Sequence, residues 1–163
     1  MYAARLARLL VVLLVAARAS GEPVAVGSTL PPRSLPDQHG IVHAIDESVR
    51  LVLFSRDMKG GGVVKEALQA DGRGFLERHH ALYVSDVSRM PGIIRATIAK
   101  PRLRGRGYPI LLDEEGTATA DLPAADGKAT ILFLDELQVK RVEQVGSVEE
   151  LRGAIEPVAQ TER

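Results

Sequence analysis

Leu51-Val52-Leu53-Phe54-Ser55-Arg56-Asp57-Met58-Lys59-Gly60-Gly61-Gly62-Val63-Val64 joins an apolar run to three consecutive glycines. Leu51 to Ser55 is short and almost wholly apolar, the pattern of a strand buried on both faces. Val63 to Ala70 reads as a helix that stops at Asp71-Gly72. The glycines lie between, and two readings stay open for them. They fill a tight strand-to-helix turn, or their free N–H groups, with Lys59 beside them, receive a carboxylate or phosphate. The segment is not a P-loop, because no Gly-Lys-Ser/Thr closes it. A Gly-x-Gly-x-x-Gly dinucleotide fingerprint is also missing.

Outward from this stretch, strands and helices alternate. On the N-terminal side, a polar turn over Asp37 to Gly40 separates apolar positions in Leu35 to His43 and predicts a small hairpin. On the C-terminal side, a short helix over Phe75 to His79 leads into a strand at Ala81 to Ser85. A helix follows with Ser88 as its cap and Pro91 in its first turn. Met90, Ile93, Ile94 and Ile98 share one of its faces, and Pro101 is expected to end it. The basic stretch Lys100 to Arg106 is then a loop, before a strand over Tyr108 to Leu112. Thr130 to Leu134 and Gln138 to Glu143 form a hairpin around Asp135-Glu136-Leu137. Ser147 and Glu150 make a capping box for a last helix carrying Leu151, Ala154, Ile155 and Val158. This order implies a mainly parallel central sheet covered on both faces, with an antiparallel edge pair.

The chain has 163 residues, enough for one domain, and equal numbers of acidic and basic side chains. A neutral chain generates no global field for nucleic acid. Tryptophan is absent and aromatic residues are few, which argues against a stacking platform for bases. Residues 1–19 have a basic start (Arg5, Arg8), an apolar run from Leu9 to Ala17, and Ala17-Arg18-Ala19 before Ser20. That is a secretory signal peptide pattern, cleaved near Ala19, and it predicts a periplasmic or secreted protein; retention as an anchor is the alternative. Residues 20–34 form an extended lead-in, 35–158 the folded domain and 159–163 a tail. Cysteine is absent throughout, so there is no disulfide staple and no thiol chemistry.

Five segments, in order, resemble the thioredoxin-like superfamily, nearest its alkyl hydroperoxide reductase and peroxiredoxin branch. They are LPDQHGIVHAID (35–46), LVLFSRD (51–57), LYVSDVS (82–88), YPILLDEEGTATADLP (108–123) and ATILFLDELQVKRVEQVGSVEELRGAI (129–155). The resemblance implies a three-layer α/β/α fold with a mixed central sheet and an N-terminal β-hairpin extension. It also implies Cys-x-x-Cys where this chain has Lys59-Gly60-Gly61-Gly62, or a peroxidatic cysteine near Val63. The proline that the superfamily places before its third core strand is replaced by Ala129. Without a thiolate nucleophile, disulfide or peroxide reduction in the family's manner is lost outright.

These residues predict a redox-inactive binding or accessory module that uses the former active-site face. Its candidate residues are Arg56, Asp57, Lys59, Gly60, Gly61 and Gly62, and its partner a protein or small anionic ligand. The competing expectation is an enzyme or cofactor-binding protein that uses the glycine segment as an anion hole. No cofactor is expected: nothing in the residues supports a flavin. Lys100, Arg102, Arg104 and Arg106 form a basic patch, readable as a solvated loop or as a peripheral contact with an anionic envelope. His79 and His80 would need Asp86 or His43 to bind metal, and no metal site is expected. Arg56 and Asp57 read as a salt bridge or as an acid/base pair.

Overall fold

The computed structural model describes residues 22–159. The predicted signal peptide and most of the predicted tail lie outside them. Strands β1 (Arg33–Pro36) and β2 (Val42–Ile45) form the expected antiparallel hairpin. The central sheet contains β3 (Leu51–Ser55), β4 (Ala81–Asp86), β5 (Leu111–Asp113), β6 (Ala129–Asp135) and β7 (Gln138–Val145) in the order β5-β4-β3-β6-β7. β3, β4 and β5 run parallel, whereas β6 is antiparallel to both β3 and β7. The sheet is mixed, with the expected antiparallel pair at one edge.

Side-chain alternation divides the core between the two faces of this sheet. Leu51 and Leu53 of β3, Tyr83 of β4, and Ile131 and Phe133 of β6 pack with helices α1 (Met58–Ala67) and α5 (Val148–Ala159). Val52, Phe54, Val84, Leu132 and Leu134 point the other way. They are covered by Leu35 and Ile45 of the hairpin, by Val24 and Leu30 of the lead-in, and by Leu122. Helix α2 (Gly72–Arg78) is capped by Asp71, whose carboxylate accepts from the Gly74 N–H, and it begins three residues before the predicted Phe75.

Two regions depart from expectation. Helix α1 starts at Met58, five residues before Val63, so the three glycines lie inside its first turns and not in a turn before it. Asp57 supplies the N-cap that offsets their poor helix propensity. The second correction concerns the excursion between β4 and β5. Ser88 does not cap a helix there, because its N–H and hydroxyl both go to Asp86 Oδ1. Helix α3 (Gly92–Ile94) follows an uncapped Pro91, widens into a π turn over Arg95–Ala99, and continues as α4 (Lys100–Arg104). Pro101 therefore does not end the helix. It has no N–H for the Thr97 carbonyl, and the wider turn ahead of it accommodates the ring, with the Lys100 N–H bonded to the Arg95 carbonyl. The basic residues from Lys100 to Arg104 are helical, not a loop. The face shared by Ile93, Ile94 and Ile98 looks to solvent.

The last third follows the prediction closely. Glu136 and Leu137 both have positive φ and close the β6–β7 hairpin in a two-residue turn, without the glycine or asparagine that usually marks one. Ser147 Oγ accepts from the Glu150 N–H, while the Glu150 carboxylate caps the Gly146 N–H, one residue earlier than a standard box.

Candidate functional site

The parallel strands β3, β4 and β5 each end near an aspartate: Asp57, Asp86 and Asp113. Each carboxylate is used to tie down the chain that leaves the sheet. Asp113, buried, accepts from the Gly116 N–H at 2.8 Å and from the N–H and hydroxyl of Thr119 at 2.8 Å each. Asp86, also buried, accepts from Ser88 and from Arg56 Nε at 3.2 Å. Arg56 also donates to the carbonyl oxygens of Thr119 (2.7 Å) and Leu122 (3.4 Å), with its guanidinium over the Phe54 ring. The Arg56–Asp57 pair read from sequence does not form; the partner of Arg56 is Asp86.

Asp57 carries the most informative geometry. One carboxylate oxygen accepts from the Gly60 N–H at 2.8 Å, and the other accepts from the Gly127 N–H at 2.6 Å. The Gly61 N–H is bonded to the Asp57 carbonyl. The hydrogen bond from Gly60 holds the Asp57 carboxyl below its ordinary range against a smaller opposing effect of burial, with help from Gly127, Lys59 and the charge of Arg89. The anion at the head of α1 is thus the protein's own carboxylate. An incoming phosphate or carboxylate would have to displace it.

The glycines differ in their surroundings. A Cβ on Gly60 would fall inside the van der Waals envelope of the Lys128 carbonyl, in the loop that leads into β6. A Cβ on Gly61 would make ordinary contact with Ser55 Oγ and the Tyr83 hydroxyl, and one on Gly62 would meet nothing. Gly60 is therefore the residue that lets the loop close on the helix. Lys59 is exposed and its aliphatic stem lies over Gly127, while Met58 is 86% exposed. Beneath the first turn, Ser55 Oγ and the Tyr83 hydroxyl are 2.9 Å apart, and Ser55 also reaches Ser85 at 3.4 Å. Burial pushes the Tyr83 hydroxyl up, so it stays a neutral phenol at physiological pH. Sequence reading missed Gly127 and Lys128, which reach the head of α1 from the loop before β6.

The histidines lie elsewhere. His43 Nε2 meets Asp37 Oδ2 at 2.9 Å, and His43 and His80 share a groove of about 620 Å³ beside Arg73 and Glu77. Asp86 is at the other end of β4, about 17 Å of extended chain from Ala81. His43 and Asp86 therefore cannot both join His80. Among the described residues no group of three potential metal ligands converges.

No protein-family model matches this chain, and no curated protein matches it in sequence. Solved structures do match its fold. Peroxidoxin BcpB from Mycobacterium tuberculosis superposes with a TM-score of 0.57 at 21% identity, over 85% of this chain and 97% of that one. A putative protein disulfide isomerase from Bacteroides thetaiotaomicron gives 0.56 at 15% identity, covering 83% and 88% of the two chains. A putative thiol:disulfide interchange protein DsbE from Chlorobium tepidum gives 0.56 at 14%, covering 82% and 94%. The chain has a thioredoxin-like fold and contains no cysteine to serve the chemistry those names describe.

Proposed function

We propose that this is an exported thioredoxin-like protein without thiol redox activity, serving as a binding or accessory module through the face at the head of α1. The observation that carries this reading is the exchange of roles at that helix end. The helix end that would activate a sulfur nucleophile in thiol chemistry is capped by the Asp57 carboxylate, which accepts from Gly60 and Gly127, and Lys59 to Gly62 carry no thiol. With the polar groups around it engaged internally, the face offers Met58 and Lys59 to a partner, a contact surface and not a reaction centre. Export is supported by the signal peptide pattern of residues 1–19.

The test is native mass spectrometry with an absorption spectrum on protein purified from the compartment to which it is exported. The expected result is the mass of the polypeptide alone and no visible absorption. A bound flavin or other anionic metabolite would sink the accessory-module reading in favour of a cofactor-binding protein or enzyme. In parallel, dithiothreitol-driven insulin reduction and peroxide consumption are expected to run at the buffer rate. Partner binding should be unchanged by reductant or alkylating agent.

A further inference from the structure

The helical excursion between β4 and β5 is built inside out. Its cations face the body: Arg95 and Lys100 share the Glu114 carboxylate, Arg95 donates to the carbonyls of Val87 and Glu114, and Arg104 donates to the Gln38 carbonyl. Leu103 packs against the core from the same side. The isoleucines face water, with Ile93 75% exposed and Ile94 and Ile98 each 43% exposed. Thr97 lies among them, and its hydroxyl is turned back to the Ile93 carbonyl at 2.6 Å, which leaves the outward face apolar. Exposed Arg102, one turn on from Ile98, borders this face, and no acidic residue occurs between Arg89 and Leu112.

We propose that this face is a contact surface for an anionic bilayer. The isoleucines enter the boundary between headgroups and acyl chains, and Arg102 meets the lipid phosphates. The chain as a whole is neutral, so the cationic excess belongs to this segment and not to a general field. A second copy fits the same surface poorly. An isologous contact would set Arg102 of each copy against a segment that holds no acidic residue.

The absence of tryptophan makes a site-specific test direct. In the full chain, Ile94→Trp introduces a single fluorophore on the proposed face, and Lys65→Trp places one on exposed α1 as a control. Vesicles of phosphatidylcholine containing about one-third phosphatidylglycerol should shift the Ile94→Trp emission to the blue, and brominated acyl chains should quench it. Phosphatidylcholine vesicles should do neither. High salt, or Arg102→Glu, should weaken the response several-fold while circular dichroism stays unchanged. Lys65→Trp should stay unquenched. An Ile94→Trp emission that does not respond to anionic vesicles, or responds equally to neutral ones, would overturn the proposal. So would an emission already blue-shifted without lipid in a chain that elutes as a dimer, which would assign the face to a second copy. A blue shift on adding an acidic protein in solution, with none from vesicles, would overturn it too and assign the face to a protein partner.

Discussion

Gly60, Gly61 and Gly62 are identical in sequence and adjacent in the same helix, yet they hold different positions. Replacing any of them by alanine removes the entropic and propensity penalty of glycine, a gain of about 1 kcal/mol in an unhindered helix. At Gly62 nothing opposes that gain, and Gly62→Ala is expected to stabilise the protein by about 0.5–1 kcal/mol. At Gly60 the added methyl collides with the Lys128 carbonyl and pushes away the loop that carries the Gly127 N–H to Asp57. Gly60→Ala is expected to destabilise by about 1–3 kcal/mol despite its better propensity. Urea unfolding of both variants decides the matter. Equal shifts of the same sign would mean that Lys128 does not pack against the helix as described. The sequence carried only the run of glycines; which of them matters depends on a loop more than sixty residues away.

At the scale of the element, the N-terminal hairpin shows how a small unit is fixed to a sheet. Its turn is organised by Asp37, whose Oδ1 accepts from the N–H groups of His39 (2.8 Å) and Ile41 (3.0 Å), while Oδ2 meets His43. Next to it, the buried Gln38 side chain imitates a strand. It donates to the Tyr108 carbonyl at 2.8 Å and accepts from the Ile110 N–H at 2.8 Å. Gln38→Ala leaves two backbone groups with no partner in an interior from which water is excluded, and the expected cost is about 1–3 kcal/mol. Thermal unfolding measures that loss, and amide exchange at Ile110 should accelerate selectively. If Ile110 kept its protection, the bridge would not be what secures the hairpin. Alternation and turn residues made the hairpin itself legible. The docking role of Gln38 was not, because a polar residue in a turn usually faces water and no local pattern marks the one that turns inward.

At the scale of the whole molecule, stability depends on carboxylates that bind the chain to itself. Asp57 titrates below its ordinary value of 3.8 for the reasons given above. Burial pushes Asp37 and Asp121 up, but hydrogen bonds from His43 and two backbone N–H groups to Asp37, and the Arg33 pair at Asp121, outweigh it and hold both below 3.8. A carboxyl that is more acidic folded than unfolded leaves the unfolded chain with more bound protons. Its contribution is therefore complete above about pH 5, and is lost as pH falls through the unfolded value toward the lower folded one. Urea midpoints should be level near neutrality and drop steeply on acidification below about pH 4. Asp57→Asn should flatten part of that slope, and an unchanged slope would remove Asp57 from the set. The strand–helix alternation, the apolar β3 run, the closing hairpin and the absence of cysteine were all settled by the sequence, because period, capping and composition are local properties. It therefore determined the fold class and ruled out thiol chemistry. Tertiary structure decided what the head of α1 holds, that Arg56 pairs with Asp86 and not Asp57, and that the isoleucine face of the excursion looks outward. Each of these depends on which distant segment arrives at a position, and a helical or strand period specifies only that a side chain has a face, not what meets it.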